Sequence, residues 1–479
     1  MASASGDLGL RPSTVNLKSR STGELTARDF QDYDPGPAFS PNGVVANGLP
    51  QSITGVSTVT DTPSSAQGRI IRPPPFSRKL RKSLFIRPAE TRGVAPGYLQ
   101  SVKSALTYSW INVLLVFNPI SWALYYSHQE DGAVFATALL GVIPLAGMLG
   151  HGTETVALYT GDALGGLINA SLGNATEFII AILLLVKCEI RVVQASLLGG
   201  LLSNLLLVTG MAFIVGGIRF SEQEFRQTAA QLNTSLLTLA VIALVMPTAF
   251  AIALEQVAGE DQERDVVLQI SRGSAVILIA IYVSYMVFQL YSHTMRPPLD
   301  VEAQAEESDK ETPEMNLTVA ICALVAATGL TYVTAEALTD SLEGIGRSGS
   351  VSTEWLGLIL LAIVGNAAEH VTAVFVAYRN KVDLALAVSV GSCIQITLFV
   401  IPILVLIGWI INKPLSLLFD PLEVVTLFLS VLLVRFATED GRTHYMSGVL
   451  LFGTYILIAF SFWYYPQNGT SFARLFECT

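Results

Sequence analysis

From about residue 109 onward this 479-residue chain is a succession of long apolar runs, and no other feature limits its fold as strongly. A run of about 18 or more residues with few charges is long enough to cross the hydrocarbon core of a bilayer as a helix. In lipid, every backbone N–H and C=O has to be satisfied within such a segment, so the chain is expected to be an all-α polytopic membrane protein. Composition agrees, with 51% hydrophobic and 14% charged residues, where soluble domains carry about 25% charge. Eleven transmembrane helices are predicted, at roughly 109–127, 132–150, 166–187, 191–216, 230–255, 273–292, 316–338, 353–378, 384–411, 421–437 and 445–464.

The segments around these spans differ in kind. Residues 1–68 are polar, poor in aromatics and rich in Ser, Thr, Gly and Pro. They bury too little apolar surface to offset ordering entropy, so a disordered N-terminal tail is expected. The tail holds no short apolar core, which argues against a cleaved secretory leader. Residues 69–108 form a basic segment with Arg69, Arg72, Arg78, Lys79, Arg81, Lys82, Arg87, Arg92 and Lys103. It reads as a topology determinant, or as a contact for anionic lipid or autoregulation. The basic residues of the loops nearly tie between the two faces, at 8 against 7, and the 13 that precede the first span decide the orientation. The positive-inside rule then puts the N-terminus in the cytoplasm, and an odd span count puts the C-terminus in a lumen. Residues 297–315 form an acidic linker containing Asp300, Glu302, Glu306, Glu307, Asp309, Glu311 and Glu314. It is either a solvated connection or a surface that gathers cations at the cytoplasmic mouth. The net charge of −10 argues weakly against a nucleic-acid partner, and none is expected. Cys188, Cys322, Cys393 and Cys478 show no paired spacing, so no disulfide framework is expected.

Two segments match each other inside the chain. Gly173-Asn174-Ala175-Thr176-Glu177-Phe178 corresponds to Gly365-Asn366-Ala367-Ala368-Glu369-His370, 192 residues on (365 minus 173). At the same offset Gly199 falls on Gly391, Gly200 on Ser392 and Ser203 on Gln395. A constant offset across two adjacent spans indicates duplicated halves: a first five-helix repeat over 132–296 and a second over 316–479, with the span at 109–131 outside both. Five spans is an odd number, so the second copy is inverted in the membrane. Inverted repeats of this kind place the substrate site at mid-membrane between the halves.

Glu177 and Glu369 lie within apolar stretches, where a carboxylate is costly unless it is paired, protonated or metal-bound. The Gly-Asn pair before each glutamate weakens the helix and frees carbonyls, which is tolerated where backbone lines a cavity. Ca²⁺ takes about six to eight oxygens from carboxylates, amides, backbone and water. Glu177, Glu369, Asn174, Asn366, the Thr176 hydroxyl and the carbonyls of Ala175 and Ala367 are a ligand set of that type. Two carboxylates facing one cavity also repel each other, so they would hold protons when Ca²⁺ is absent and release them when it binds. That is the logic of an antiporter. His370 reads either as a proton relay that tunes Glu369 or as a packing residue. Ser203, Ser392 and Gln395 read as a polar pathway or as bridges between packed helices. Glu154, near His151 and Thr153 at the cytoplasmic end of the second span, reads as an ion-entry or pH-sensing group or as an ordinary interfacial charge.

GNATEFIIAILLL followed by VVQASLLGGLLSNLLLVTG, and GNAAEHVTAVFVA followed by SVGSCIQITLFV, resemble the two signatures of the cation/proton exchangers of the Ca²⁺/cation antiporter superfamily. The likeness spans about residues 80–465 and points to fungal vacuolar Ca²⁺/H⁺ exchangers. It implies Ca²⁺ ligation by Glu177 and Glu369 with Asn174, Asn366 and neighbouring carbonyls. It also implies an acidic segment before the second half, a vacuolar membrane, and some transport of Mn²⁺. The histidine after the second glutamate favours proton coupling over Na⁺ coupling. A Na⁺-coupled Ca²⁺ exchanger on the same fold remains the alternative, and a cation channel using the glutamates as a filter is a more distant one. Neither HExxH nor GxSxG occurs, so no enzyme and no bound cofactor are expected. The expected partners are Ca²⁺, protons and the lipid bilayer; the sequence specifies no oligomeric state.

Overall fold

The computed structural model describes residues 95–160, 165, 168, 172–254, 260–289, 313–348 and 351–465. The tail at 1–68, most of the basic segment, six of the seven acidic linker residues, the start of the third predicted span and residues 466–479 lie outside the described residues.

A short helix α1 (Tyr98–Thr107) precedes a 3-10 turn (Trp110–Val116) that runs into α2 (Phe117–Tyr126). There follow α3 (Asp131–Tyr159), α4 (Ala175–Val186), α5 (Ile190–Arg219), α6 (Gln227–Leu254) and α7 (Glu260–Phe288). The second half contains α8 (Leu317–Ser348), α9 (Thr353–Gly365), α10 (Ala367–Tyr378), α11 (Val382–Ile410), α12 (Pro421–Ala437) and α13 (Tyr445–Trp463). The strand pair β1 (Gln223–Glu224) and β2 (Arg442–Thr443) forms a two-residue antiparallel ladder. Among the described residues, seven helices are long and apolar enough to cross a membrane, and eight when α9 and α10, bent by 52°, count as one span. The eleven predicted segments all correspond to helix, but α4 has 12 residues, α12 has 17, and the first segment is divided between the 3-10 turn and α2. Several helices outrun their apolar stretch. Helix α7 starts at Glu260 and α8 continues to Ser348 because helical hydrogen bonding does not stop where hydropathy falls.

The duplication extends to backbone detail. Helices α4 and α10 each start after an asparagine outside helical geometry, Asn174 at φ −106°, ψ 34° and Asn366 at φ −91°, ψ 19°. Both end on a left-handed residue, Cys188 (φ 66°) and Asn380 (φ 62°), which are again 192 apart (380 minus 188). Each end carries the same pair of closing bonds, Glu189 N to Leu184 O with Cys188 N to Leu185 O, and Lys381 N to Val376 O with Asn380 N to Ala377 O. These are the bonds of a helix C-terminus closed by a left-handed residue. Helices α5 and α11 both widen into a π-turn just past their midpoint, at Ser203–Val208 and Ile396–Val400. Single π-turns inside α-helices are frequent at functional sites.

The two copies run in opposite directions. Gln194 near the start of α5 donates to the carbonyls of Ser416 and Leu418 beyond the end of α11, whereas Thr209 further along α5 meets Ser389 near the start of α11. Close approach sets the packing of α5 on α9. A Cβ on Gly199 would stand 2.0 Å from the Leu358 carbonyl oxygen, so only glycine fits. Helices α3 and α8 lie against each other, and the extra N-terminal segment docks on both. Asn118 donates to the Gly141 carbonyl of α3 and accepts from Thr334 of α8, and Tyr125 bonds Asp340 of α8, which also pairs with Lys187. One cysteine expectation changes: Cys188 is disulfide-bonded, while Cys322 and Cys393 are free. Spacing carries no information about a bond between residues brought together only by the fold.

Candidate functional site

The breaks before α4 and α10 place Glu177 and Glu369 at the third position of each helix. Unpaired N–H groups of the first turn and the helix dipole favour negative charge there. The two carboxylates come from opposite repeats. Glu177 lies against the other repeat, close enough that a Cβ on Gly365 would stand 3.2 Å from its Oε1. Glu177 Oε1 and Glu369 Oε2 are both buried without a hydrogen-bond partner. Buried polar atoms are nearly always bonded, so two orphan carboxylate oxygens in one region point to a ligand.

A polar net surrounds them. Asn174 donates to Gln395 Oε1 (2.8 Å) and accepts from Ser392 Oγ (2.8 Å). Asn204 donates to Asn366 Oδ1 (2.7 Å) and to Ser392 Oγ (3.1 Å). Asn366 Nδ2 donates to the Ala362 carbonyl at 2.8 Å across the helix break. Ser203 Oγ and His370 Nε2 are 3.1 Å apart and bonded. The Asn204 side-chain oxygen is a third buried acceptor without a partner. The unsatisfied groups here are therefore oxygens, which suits a hard cation rather than an anion.

A cavity of about 560 Å³ leads to this net. Glu369, Asn174, Ser392 and Gln395 line it on the site side, and Tyr108, His151 and Glu154 line it towards the end of α3. Tyr108 stacks on His151 with ring centres 4.6 Å apart, and Glu314 stands 3.6 Å from the His151 Nε2. The structure thus brings Asn174, Asn366, Ser392 and Gln395 into one net and joins Ser203 to His370. Glu154 lines the same cavity as Glu369, on the α3 side. Thr176 is buried in the first turn of α4. Ala175 and Ala367 open α4 and α10, where a carbonyl enters the helical ladder and keeps one lone pair.

Asn204 escaped the sequence reading, as did the bond from Thr209 to Ser389 (2.9 Å). The signal was a lone amide in the apolar run LLSNLLLV, but its counterpart in the repeat is Ile396, so matching the two halves does not select it.

Comparison with known proteins gives the same direction. The profile of the family described as sodium/calcium exchanger protein matches residues 132–291 and 319–464. The chain belongs to that family. Its two matched blocks fall on the two repeats. The exchanger is 41% identical over 495 residues to a vacuolar calcium ion transporter of Cryptococcus neoformans var. grubii, covering 85% of this chain and 81% of the relative. It is 41% identical over 367 residues to a vacuolar calcium ion transporter of Schizosaccharomyces pombe, covering 76% and 87%. The solved structure of native YfkE matches with 31% identity and a TM-score of 0.63, over 74% of this chain and all but 1% of the other, of which 99% is covered.

Proposed function

We propose that this exchanger is a secondary active transporter that moves Ca²⁺ out of the cytosol in exchange for lumenal H⁺ by alternating access. Glu177 and Glu369 bind either Ca²⁺ or protons. The observation that carries this reading is the pair of buried carboxylate oxygens without partners, contributed by equivalent positions of two inverted repeats. Two carboxylates neutralise one divalent cation, or two protons neutralise the carboxylates, so each form of the site is uncharged when occupied. Low charge is what a mid-membrane site requires in order to reorient. Asn174, Asn366, Thr176 and the carbonyls of Ala175 and Ala367 complete the oxygen set. Ser203 and His370 tune Glu369, and Ser392 and Gln395 extend the polar path. Mn²⁺, which also takes oxygen ligands, is a second cargo.

The names of the relatives support calcium as cargo and the vacuolar membrane as location. YfkE, described as a Ca²⁺/H⁺ antiporter, supports proton coupling. All eleven helical segments serve as spans in this reading, the short ones being buried between longer neighbours. The cavity then opens to the cytosol and Glu154 stands at its entrance. Cys188, at the α4–α5 turn on the other face, is disulfide-bonded, as befits an oxidising compartment.

The test is initial Ca²⁺ uptake by sealed vesicles with and without an imposed proton gradient. Uptake is expected to need the gradient, and Glu177→Gln or Glu369→Gln is expected to abolish it while the protein remains folded and inserted. Wild-type flux in either variant refutes the two-glutamate site. Flux that ignores pH and follows Na⁺ replaces proton coupling with Na⁺ coupling, and current without counter-transport makes the chain a channel.

A further inference from the structure

On the face opposite the open cavity lies a second cluster of charge that the ion site does not use. Arg191 at the start of α5 bonds Glu354 at the start of α9 (Nε to Oε1, 3.2 Å), and its Nη2 is 3.8 Å from Asp420 Oδ2 at the start of α12. Asp420 also receives the Tyr465 hydroxyl, at 3.0 Å from both carboxylate oxygens, and the Leu422 N–H at 2.8 Å. Glu423 Oε2 accepts the Asp420 N–H at 3.3 Å. Asp420 and Glu423 are buried, at 2% and 4% exposure, around a void of only about 10 Å³. A void of that size holds about one water, against the 560 Å³ cavity on the other side.

The position of this cluster follows from how α5 and α9 run. Gly200 near the middle of α5 meets the inner end of α9, where a Cβ on it would stand 3.3 Å from Asn366 Nδ2. Further out along α9, the Leu358 carbonyl lies on Gly199, and Gly357 packs on Val192. At the outer ends stand Arg191 and Glu354. The two helices are therefore in contact all the way from the ion site to that face. A passage between these two helices opens only if they part, and parting them separates Arg191 from Glu354. Helix α9 is built to yield, with a π-turn at Leu356–Leu361 just inside Glu354 and a 52° break at Asn366. Among the described residues, the cluster sets one guanidinium against three carboxylates. Its closed form thus depends on Arg191 in particular.

We infer that Arg191, clasping Glu354 and Asp420, is the bolt that keeps the ion site closed towards the lumenal face while the cytosolic cavity is open. These are positioning residues for the transport cycle: they touch neither cargo ion, and they set which face the site meets. The inference rests on alternating access, but its test needs no transport, so it fails or stands separately from the exchange reaction.

The experiment uses sealed vesicles and a membrane-impermeant maleimide added to one face at a time. Leu358→Cys reports the lumenal passage and Thr372→Cys the cytosolic cavity, each corrected for labelling of the chain without the added cysteine. With Arg191 intact, Leu358→Cys is expected to label slowly from the lumenal face. Adding Arg191→Gln, or the near-isosteric Glu354→Gln, is expected to raise that rate about five-fold or more and to lower cytosolic labelling of Thr372→Cys. Arg191→Lys, which keeps a positive charge facing Glu354 and Asp420, is expected to label more slowly from the lumenal face than Arg191→Gln. An unchanged lumenal rate in the folded variants overturns the inference. So does a rise on both faces together, which is the signature of a loosened fold, and so does Arg191→Lys labelling as fast as Arg191→Gln.

Discussion

Gly199 and Gly391 occupy equivalent positions in the two repeats, 192 residues apart (391 minus 199), yet the same substitution should act on them in opposite directions. A methyl group on Gly199 would meet the Leu358 carbonyl oxygen at 2.0 Å, its carbon at 2.7 Å and its Cα at 2.8 Å. All three are backbone atoms, so no side chain can swing aside. Comfortable contacts lie at about 3.5–4.0 Å, so α5 and α9 would have to separate by more than about 1 Å beside the ion site. Overpacking of this kind costs about 1–3 kcal/mol. At Gly391 nothing lies within 4 Å of the added carbon, and alanine gains about 1 kcal/mol over glycine within a helix. Gly199→Ala is therefore expected to be less stable than Gly391→Ala by about 2–4 kcal/mol and to lose Ca²⁺ flux, whereas Gly391→Ala keeps both. The assay is heating of the detergent-purified protein, followed by the surviving monodisperse fraction, with flux measured on the same variants. Equal stability of the two, or greater damage at Gly391, would falsify the backbone contact between α5 and α9.

If protons and Ca²⁺ compete for Glu177 and Glu369, as proposed, acid on the Ca²⁺-binding face is expected to raise the apparent KM for Ca²⁺, and acid on the other face to speed turnover; proteoliposomes with pH set separately on each side measure both. Asn204→Ala removes the two hydrogen bonds that hold Asn366 and Ser392, which at about 0.5–1.5 kcal/mol each should weaken Ca²⁺ binding by about 5-fold to 150-fold, readable by calorimetry. Asn380 is left-handed and its Oδ1 accepts from Gln223 Nε2 at 2.9 Å, a bond that glycine and valine both lose, so Asn380→Val is expected to be less stable than Asn380→Gly by about 1–2 kcal/mol on heating.

Much of this was legible in the sequence because the membrane enforces a one-dimensional rule. Lipid demands continuous apolar helix, and each predicted segment corresponds to helix. The glutamates stood out because a charge in such a run is expensive and because the repeat supplied two of them. Length was less legible. Hydropathy marked α8 only to residue 338, while the helix runs to Ser348. Partnerships across the fold left almost no trace. Nothing in the sequence ties Arg191 to Glu354 or Tyr125 to Asp340, since those pairs are made by helices more than 150 residues apart. Asn204 was missed for a related reason: a search for equivalent pairs passes over a residue whose counterpart is Ile396.

That omission shows how a duplicated frame acquires unequal halves. The repeat requires that if position 392 meets Asn174, position 200 should meet Asn366, and the geometry obeys. Ser392 Oγ donates to Asn174 Oδ1, and the side-chain site of residue 200 lies 3.3 Å from Asn366 Nδ2. But residue 200 is glycine and has no group to offer. Asn204, one turn along α5 and inside the π-turn, fills the place and bonds both Asn366 and Ser392. In the same way Gln395 reaches Asn174, while its counterpart Ser203, too short for that role, bonds His370. The equivalent of His370 is Phe178, so only one half has a titratable neighbour to its glutamate. Inversion thus places the two carboxylates alike, and side-chain divergence makes their surroundings different. Two facing carboxylates release their protons one at a time even when alike; the histidine beside one glutamate and the phenylalanine beside the other make the two inequivalent, so the two steps fall on distinguishable groups.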